Sequence, residues 1–379
     1  MPQSIAARSL PDDLDRALLL GRIDLGEGPT PVLIRGGEVR DMSKVAGTVA
    51  ELIEARAFDP TAGEALPFPC AALFENQPPA ALLSPIDLHC IKAAGVTFAV
   101  SALERVIEEQ ARGDASQASA VRARLERAIG GSIRSVAPGS PEADALKQAL
   151  IAEGAWSQYL EVAIGPDAEI FTKAPPLSSV GWGAEVGIRS DSTWNNPEPE
   201  VVLAVASDGT PVGATLGNDV NLRDFEGRSA LLLGKAKDNR AACAIGPFVR
   251  LFDDRFTMTD IETCEVTLRV DGEDGYTLQG HSAMNQISRA PAELVRQAMS
   301  QHDYPDGFVL FLGTLFAPTQ DRDAPGRGFT HKAGDIVRIG TPRLGTLVNR
   351  VTTCDRAAPW TDGILALMRN LSARGMVRA

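Results

Sequence analysis

From about residue 160 onward the chain consists of short apolar, β-branched runs set between Gly, Asp and Pro, and this pattern most constrains its fold. LEVAIG, EVVLAVA, VGATLG, CEVTLRV, GFVLFLG and DIVRIG each have the length and composition of a strand. With little helix between them, they predict an α+β chain built on a mixed or antiparallel β-roll or barrel rather than a βαβ repeat. No G-x-G-x-x-G follows a strand and no G-x-x-x-x-G-K-[ST] occurs, which argues against nucleotide binding.

The first part of the chain differs. Residues 18–40 alternate apolar runs with glycine turns and predict two or three strands joined as hairpins. Residues 42–57 carry apolar residues at helical spacing behind Asp41, a suitable cap. A Pro-rich stretch from Pro60 to Pro85 reads as a linker. The expected division is a small N-terminal α/β domain over 1–85 and a larger one over 86–379. Residues 101–131 predict two helices broken at Gly113-Asp114 and ending at Gly130-Gly131. With 141–153 they form a helical insertion over 101–153, either a solvated hairpin or a lid.

Lys plus Arg number 37 against 49 Asp plus Glu, a net charge of −12. Like charges repel, so this balance argues against nucleic acid and anionic membranes as partners, but not against a small anionic substrate met by a metal. The five cysteines show neither Cys-x-x-Cys nor an even framework and predict free thiols in a reducing compartment. With no signal-like N-terminus and no apolar run of membrane-spanning length, a cytoplasmic protein is expected. His89, His281, His302 and His331 lack metal-ligand spacing and read as structural.

The chemistry concentrates in residues 195–224, NNPEPEVVLAVASDGTPVGATLGNDVNLRD. Asp208-Gly209 suits a two-residue hairpin turn, and a turn centred there pairs residues whose numbers sum to 417. Glu198 then faces Asp219, while Glu200, two residues on, shares Glu198's face. Either the glutamates end a strand in solvent and Asp219 caps a turn, or the three carboxylates hold a cation. In the second case all-oxygen ligation selects Mg²⁺, Mn²⁺ or Ca²⁺ over zinc. Lys237, in LGKAKDNR, is a candidate for holding a substrate anion or moving a proton.

PEPE, GNDVNLRDFEG, the spacing from Lys237 to Gly246-Pro247, Gly313-Thr314 and GDIVRIGTPRLGTLVNRV together resemble the fumarylacetoacetate hydrolase superfamily over residues 86–379. The resemblance implies a mixed β-roll around Mg²⁺ or Mn²⁺ held by Glu198, Glu200 and Asp219, with Lys237 and Thr314 at the substrate. Hydrolytic members carry a His-x-x-Glu pair on a lid helix. Here Glu104 is kept, but Ser101 stands in place of the histidine and cannot supply an imidazole base.

LLGRIDLGEGPTPVLIRGG, KAAGVTFAVSALERVIEE, IRSDSTWNNPEPE and QDRDAPGRGFTHK are similar to one branch of that superfamily, the 2-keto-3-deoxy-D-xylonate (D-arabinonate) dehydratases of oxidative pentose catabolism. That branch implies loss of water from a 2-keto-3-deoxy-D-pentonate to give 2,5-dioxopentanoate, and a homodimer or homotetramer. Glu169 then becomes the expected acid or base and Glu104 the second choice. Arg189, Asp191 and Ser192 are expected at the sugar-acid hydroxyls. An acylpyruvate-type hydrolase or decarboxylase, and a dehydratase using Lys237 as a Schiff base, are the rival readings.

Overall fold

The computed structural model describes residues 8–128, 136–152, 154 and 156–376, and in them EVVLAVA, VGATLG, CEVTLRV, GFVLFLG and DIVRIG fall in the strands of two principal sheets. LEVAIG, expected as a strand, is instead part of a helix over Gln158–Ile164, capped by Ser157 and burying Leu160, Ala163 and Ile164 at helical spacing. The larger sheet contains β1 (Leu18–Asp24), β2 (Pro29–Arg35), β3 (Glu38–Asp41), β4 (Glu64–Pro69), β5 (Cys90–Gly95), β6 (Glu169–Ala174), β7 (Pro199–Val205), β8 (Pro211–Asp219), β9 (Cys243–Leu251) and β10 (Phe308–Phe311). Their order is β4-β3-β2-β1-β9-β8-β7-β10-β5-β6, and the short strand Ala81–Leu82 pairs with β1 off this path. β10 and β5 run parallel, whereas their neighbours pair antiparallel, so the sheet is mixed. The two ends of the path do not meet. The expected mixed, sheet-dominated architecture is present, but the sheet stays open and no barrel closes among the described residues. A second sheet of five strands packs with it, ordered Thr277–Ala283, Glu265–Asp271, Ile336–Thr341, Gly345–Thr353 and Glu185–Ile188.

The two or three strands expected over 18–40 are three, β1 to β3, and they do not stand apart from the rest. Leu19 pairs with Arg250 and Leu20 with Val249, so β1 continues the sheet that carries the 195–224 hairpin. The Pro-rich stretch is also more than a linker. β4 pairs only with β3 and is an edge strand, where proline's missing N–H costs no ladder bond. Cys70, Leu73 and Phe74 behind it are buried.

The helix expected over 42–57 is shorter. Asp41 ends β3 instead of capping, and helix α1 (Val49–Glu54) starts seven residues later. Thr48 caps it by accepting from the Glu51 amide at 3.0 Å. A distant carboxylate completes the cap: Asp87 accepts from Val49 N at 2.6 Å and Ala50 N at 3.0 Å. Both amides are buried, so Asp87→Ala is expected to cost about 1–3 kcal/mol, read as a lower midpoint in chemical denaturation with an unchanged slope.

β7 is buried along its whole length. Val201, Leu203 and Val205 join one core cluster while Val202 and Ala204 join another, so both faces of the strand are covered. Helix α2 (Ala99–Gln110) meets one end of this hairpin through Arg105, and α3 (Ala115–Ala128), α4 (Pro141–Ala152) and α5 (Gln158–Ile164) pack with it. The expected break falls at Gly113, which sits at φ +72°. A Cβ there would come within 2.6 Å of the Asp224 carbonyl oxygen, so the turn requires glycine. The expected stop at Gly130-Gly131 lies outside the described residues. Val106, Ile107, Leu160 and Ile164 bind these helices into a core of their own. All five cysteines are unpaired. Among the described residues no helix is long and apolar enough to cross a membrane.

Candidate metal centre

The hairpin reaches its predicted register by an unexpected route. Near the turn the pairs sum to 416, as Val205 with Pro211, and Gly209 at φ +84° closes a three-residue loop. A bulge then inserts Val212, and from Ala204–Gly213 to Pro199–Asn218 every pair sums to 417. The Asp219 amide donates to the Glu198 carbonyl at 3.1 Å. Glu198, Glu200 and Asp219 are all buried, and each offers a carboxylate oxygen within 4.8 Å of the others'. The solvent-exposed alternative for these residues is overturned.

Other side chains partly balance these charges. Lys237, at the end of helix α7 (Leu233–Lys237), which follows helix α6 (Arg223–Glu226), donates to Glu198 and reaches Asp219 Oδ2 at 3.0 Å. Lys173, buried on β6, lies 2.8 Å from Asp219 Oδ1. Arg105 on α2 donates to Glu198 and meets Glu108 at 2.7 Å and Glu226 at 3.0 Å. Among the described residues Glu200 receives only the Gly313 amide at 2.7 Å and the Thr314 hydroxyl at 3.2 Å.

The electrostatics follow from this arrangement. Burial alone would push Glu198 up, but Lys237 and Arg105 outweigh it and hold the carboxyl at about 2. Glu200 lies far above the usual carboxylate range, raised first by burial and then by the Asp219 and Glu198 charges. Burial opposes the charge on Lys237, but Asp219 and Glu198 overcome it and raise the ammonium above its ordinary value. A lysine held so firmly as a cation is a poor Schiff-base nucleophile, which counts against that rival.

The donor set fits a hard divalent cation: three buried carboxylates, oxygen only, with one pushed toward its protonated form by burial and by its two acidic neighbours. Metal uptake must therefore expel the Glu200 proton. At pH values below its raised pKa, Mg²⁺ or Mn²⁺ binding is expected to release a proton and to tighten as pH rises. Calorimetry in buffers of different ionisation enthalpy measures this, and proton-neutral binding would refute it.

Around the centre, a tight cleft is lined by Gly95, Ser101, Arg105, Glu169, Phe171, Glu226, Lys237 and Thr314 together with the three carboxylates. Glu169 is partly buried at the start of β6, and burial raises its carboxyl above the ordinary value. Its Oε2 lies where a Cβ on Gly95 would be, 2.0 Å away, so glycine at 95 leaves room for it. Ser101 donates to the Thr314 carbonyl and ties α2 to the loop that carries Glu200's donors.

Four expected site residues are not brought here. Glu104 turns away to pair with Arg122, with Arg223 3.9 Å off. The cause is helical phase: Ser101, Arg105 and Glu108 recur at i, i+4 and i+7 on one face, and Glu104 is rotated about 100° from Arg105. Arg189 pairs with Asp191 at 2.7–2.8 Å, and Ser192 donates to Asp224 at 2.9 Å, so these three form a loop beside the cleft and do not line it. His331 hydrogen-bonds Asp335 at 3.0 Å in a buried pair. Sequence reasoning missed Arg105, Lys173 and Glu226. Two of them carried a signal: Lys173 alternates with Glu169 and Phe171 along β6, and Arg105 follows Ser101 by one helical turn.

Residues 154–352 match the family described as fumarylacetoacetate (FAA) hydrolase C-terminal. The chain belongs to this family. A 2-dehydro-3-deoxy-D-arabinonate dehydratase of Saccharolobus solfataricus is 32% identical over 183 residues, which cover 48% of this chain and 58% of that protein. A protein of Haloferax volcanii named probable 2-keto-3-deoxyxylonate dehydratase is 35% identical over 195 residues, 52% of this chain and 64% of that one. The match thus spans less than two thirds of either relative. A solved structure of a 2-keto-3-deoxy-D-arabinonate dehydratase complexed with magnesium and 2,5-dioxopentanoate superposes with a TM-score of 0.63 at 21% identity, over 88% of this chain and 99% of that one. This last likeness shows a shared fold.

Proposed function

We propose that this FAA hydrolase family protein is a metal-dependent hydro-lyase that dehydrates a 2-keto-3-deoxy-D-pentonate, the xylonate or arabinonate derivative, to 2,5-dioxopentanoate. The observation that carries this reading is the pairing of the buried Glu198–Glu200–Asp219 triad with a cleft wall that offers carboxyl, ammonium, guanidinium and hydroxyl groups but no imidazole. The curated relatives' names point the same way.

In the proposed reaction a proton leaves C3 and the C4 hydroxyl departs as water. The double bond then migrates, and the terminal enol becomes an aldehyde. Glu198, Glu200 and Asp219 would hold Mg²⁺ or Mn²⁺, which when bound polarises a 2-keto acid and stabilises negative charge on its keto oxygen. Glu169, whose carboxyl burial raises, would take or give the proton from the cleft wall. Lys237 and Arg105 supply fixed positive charge for the substrate carboxylate, and Thr314 supplies a hydroxyl beside it.

A coupled assay tests the reading: 2-keto-3-deoxy-D-xylonate as substrate, the product followed through NADP⁺ reduction by a dioxopentanoate dehydrogenase. Turnover abolished by EDTA and restored by Mg²⁺ or Mn²⁺ is expected. No turnover with either metal would sink it. The rival acylpyruvate-type hydrolase or decarboxylase needs a base that Ser101 cannot provide, and Ser101→His tests it through any gain of acylpyruvate cleavage.

The reading also includes a cytoplasmic homodimer or homotetramer that binds neither nucleic acid nor membrane. Net charge −12 supports the last point. The exposed Ile364, Leu365 and Met368 of helix α8 (Ile364–Ala373) support self-association, which light scattering on the eluting protein would measure.

A further inference from the structure

Arg22 on β1 is out of keeping with its surroundings. Its side chain is only 6% exposed, yet its guanidinium makes no hydrogen bond or ion pair with any described residue, and Nε and Nη1 are both buried without a partner. Asp87 and Asp362 act on it only at a distance, and burial lowers its pKa. A desolvated, unpaired guanidinium is among the costlier features a fold can carry, and its cost falls when an anion completes it.

Arg22 lines a cavity of about 520 Å³ that shares no lining residue with the metal cleft. The volume is within the usual range for small-molecule sites. Its walls come from β1, the 82–84 segment, the 177–184 loop, Arg240-Ala241 and the 358–362 segment leading into α8. Leu82, Leu177 and Trp360 supply apolar surface, and Ser178 and Ser179 supply hydroxyls.

We propose that this cavity is a second binding site that takes a small organic monocarboxylate, its carboxylate on Arg22 and its carbon chain against Leu177 and Trp360. A planar carboxylate matches the guanidinium fork. Asp24 and Asp362 also line the cavity, and their charges disfavour a multiply charged anion such as phosphate. The apolar walls suit a ligand with a carbon skeleton.

The test uses the metal-loaded full chain, with butyrate as probe and inorganic phosphate as the competing oxyanion. Wild type is expected to bind butyrate saturably, one per chain, in the millimolar range by calorimetry, with a change in tryptophan emission. Wild type stripped of metal with EDTA should bind it equally, because the metal centre takes no part. Arg22→Gln should weaken binding about tenfold or more, as loss of charge-assisted hydrogen bonds implies. Trp360→Phe, at a half-exposed position where folding is safe, should keep the heat of binding and lose the emission change. The proposal fails if wild type shows no saturable binding, if Arg22→Gln binds as wild type does, if removing the metal abolishes binding, or if the emission change survives in Trp360→Phe. Phosphate displacing butyrate with comparable affinity would overturn the carboxylate assignment.

Discussion

Glu198→Gln is expected to lose bound metal and at least ~1,000-fold in turnover, about 4 kcal/mol of transition-state stabilisation. Metal analysis and the coupled dehydration assay measure the two losses. The comparison with Glu200→Gln makes the test sharper. Lys237 and Arg105 hold Glu198 at about 2, so without metal it is charged and ties two buried cations. Replacing it should lower the melting temperature of the metal-free protein as well. Burial and its acidic neighbours push Glu200 well above the usual carboxylate range, toward the neutral acid. A neutral glutamine can still accept from Gly313, so metal-free Glu200→Gln should melt near wild type while failing to take up metal. Equal destabilisation by the two substitutions would overturn this assignment of charge.

Arg105→Ala should give the largest loss of stability. The guanidinium is nine-tenths buried and serves Glu198, Glu108 and Glu226 at once. Removing it strands carboxylates in the interior, a change that typically costs about 3–5 kcal/mol. Glu226, which burial already raises to about 7, should then rise further, because Arg105 is the strongest influence lowering it. Denaturant titration reads the stability. If Arg105 also meets the substrate, Arg105→Lys should keep much of the stability and lose turnover, since an ammonium keeps the buried positive charge but cannot grip a carboxylate bidentately as the planar fork does. A fully active Arg105→Lys would confine the residue to a structural role.

The carboxylate triad was legible in the sequence because a strand repeats every two residues and a hairpin pairs by a fixed sum. That sum survived only because two local irregularities offset each other: the three-residue loop at Gly209 moved the register one way and the bulge at Val212 moved it back. The Pro-rich stretch was misread as a linker because proline marks an edge strand and a turn alike until the neighbouring strand is known. Arg189, Asp191 and Ser192 were expected in the cleft from their closeness in sequence to the ligands. They instead satisfy one another and Asp224 in a loop beside it.

By itself, then, the sequence determined most of the strands, the hairpin register and the three carboxylates that share one end of it, because those depend on periodicity and local turn chemistry; LEVAIG, a run too short for its period to separate strand from helix, became a helix. Only the tertiary structure decided which charges meet them. α2 docks through the face carrying Ser101 and Arg105 and turns Glu104 toward Arg122. β6 lays Lys173 against Asp219, and the loop after β10 gives Glu200 an amide instead of a cation. Those choices depend on packing between elements far apart in the chain, where a rotation of one residue replaces a carboxylate with a guanidinium.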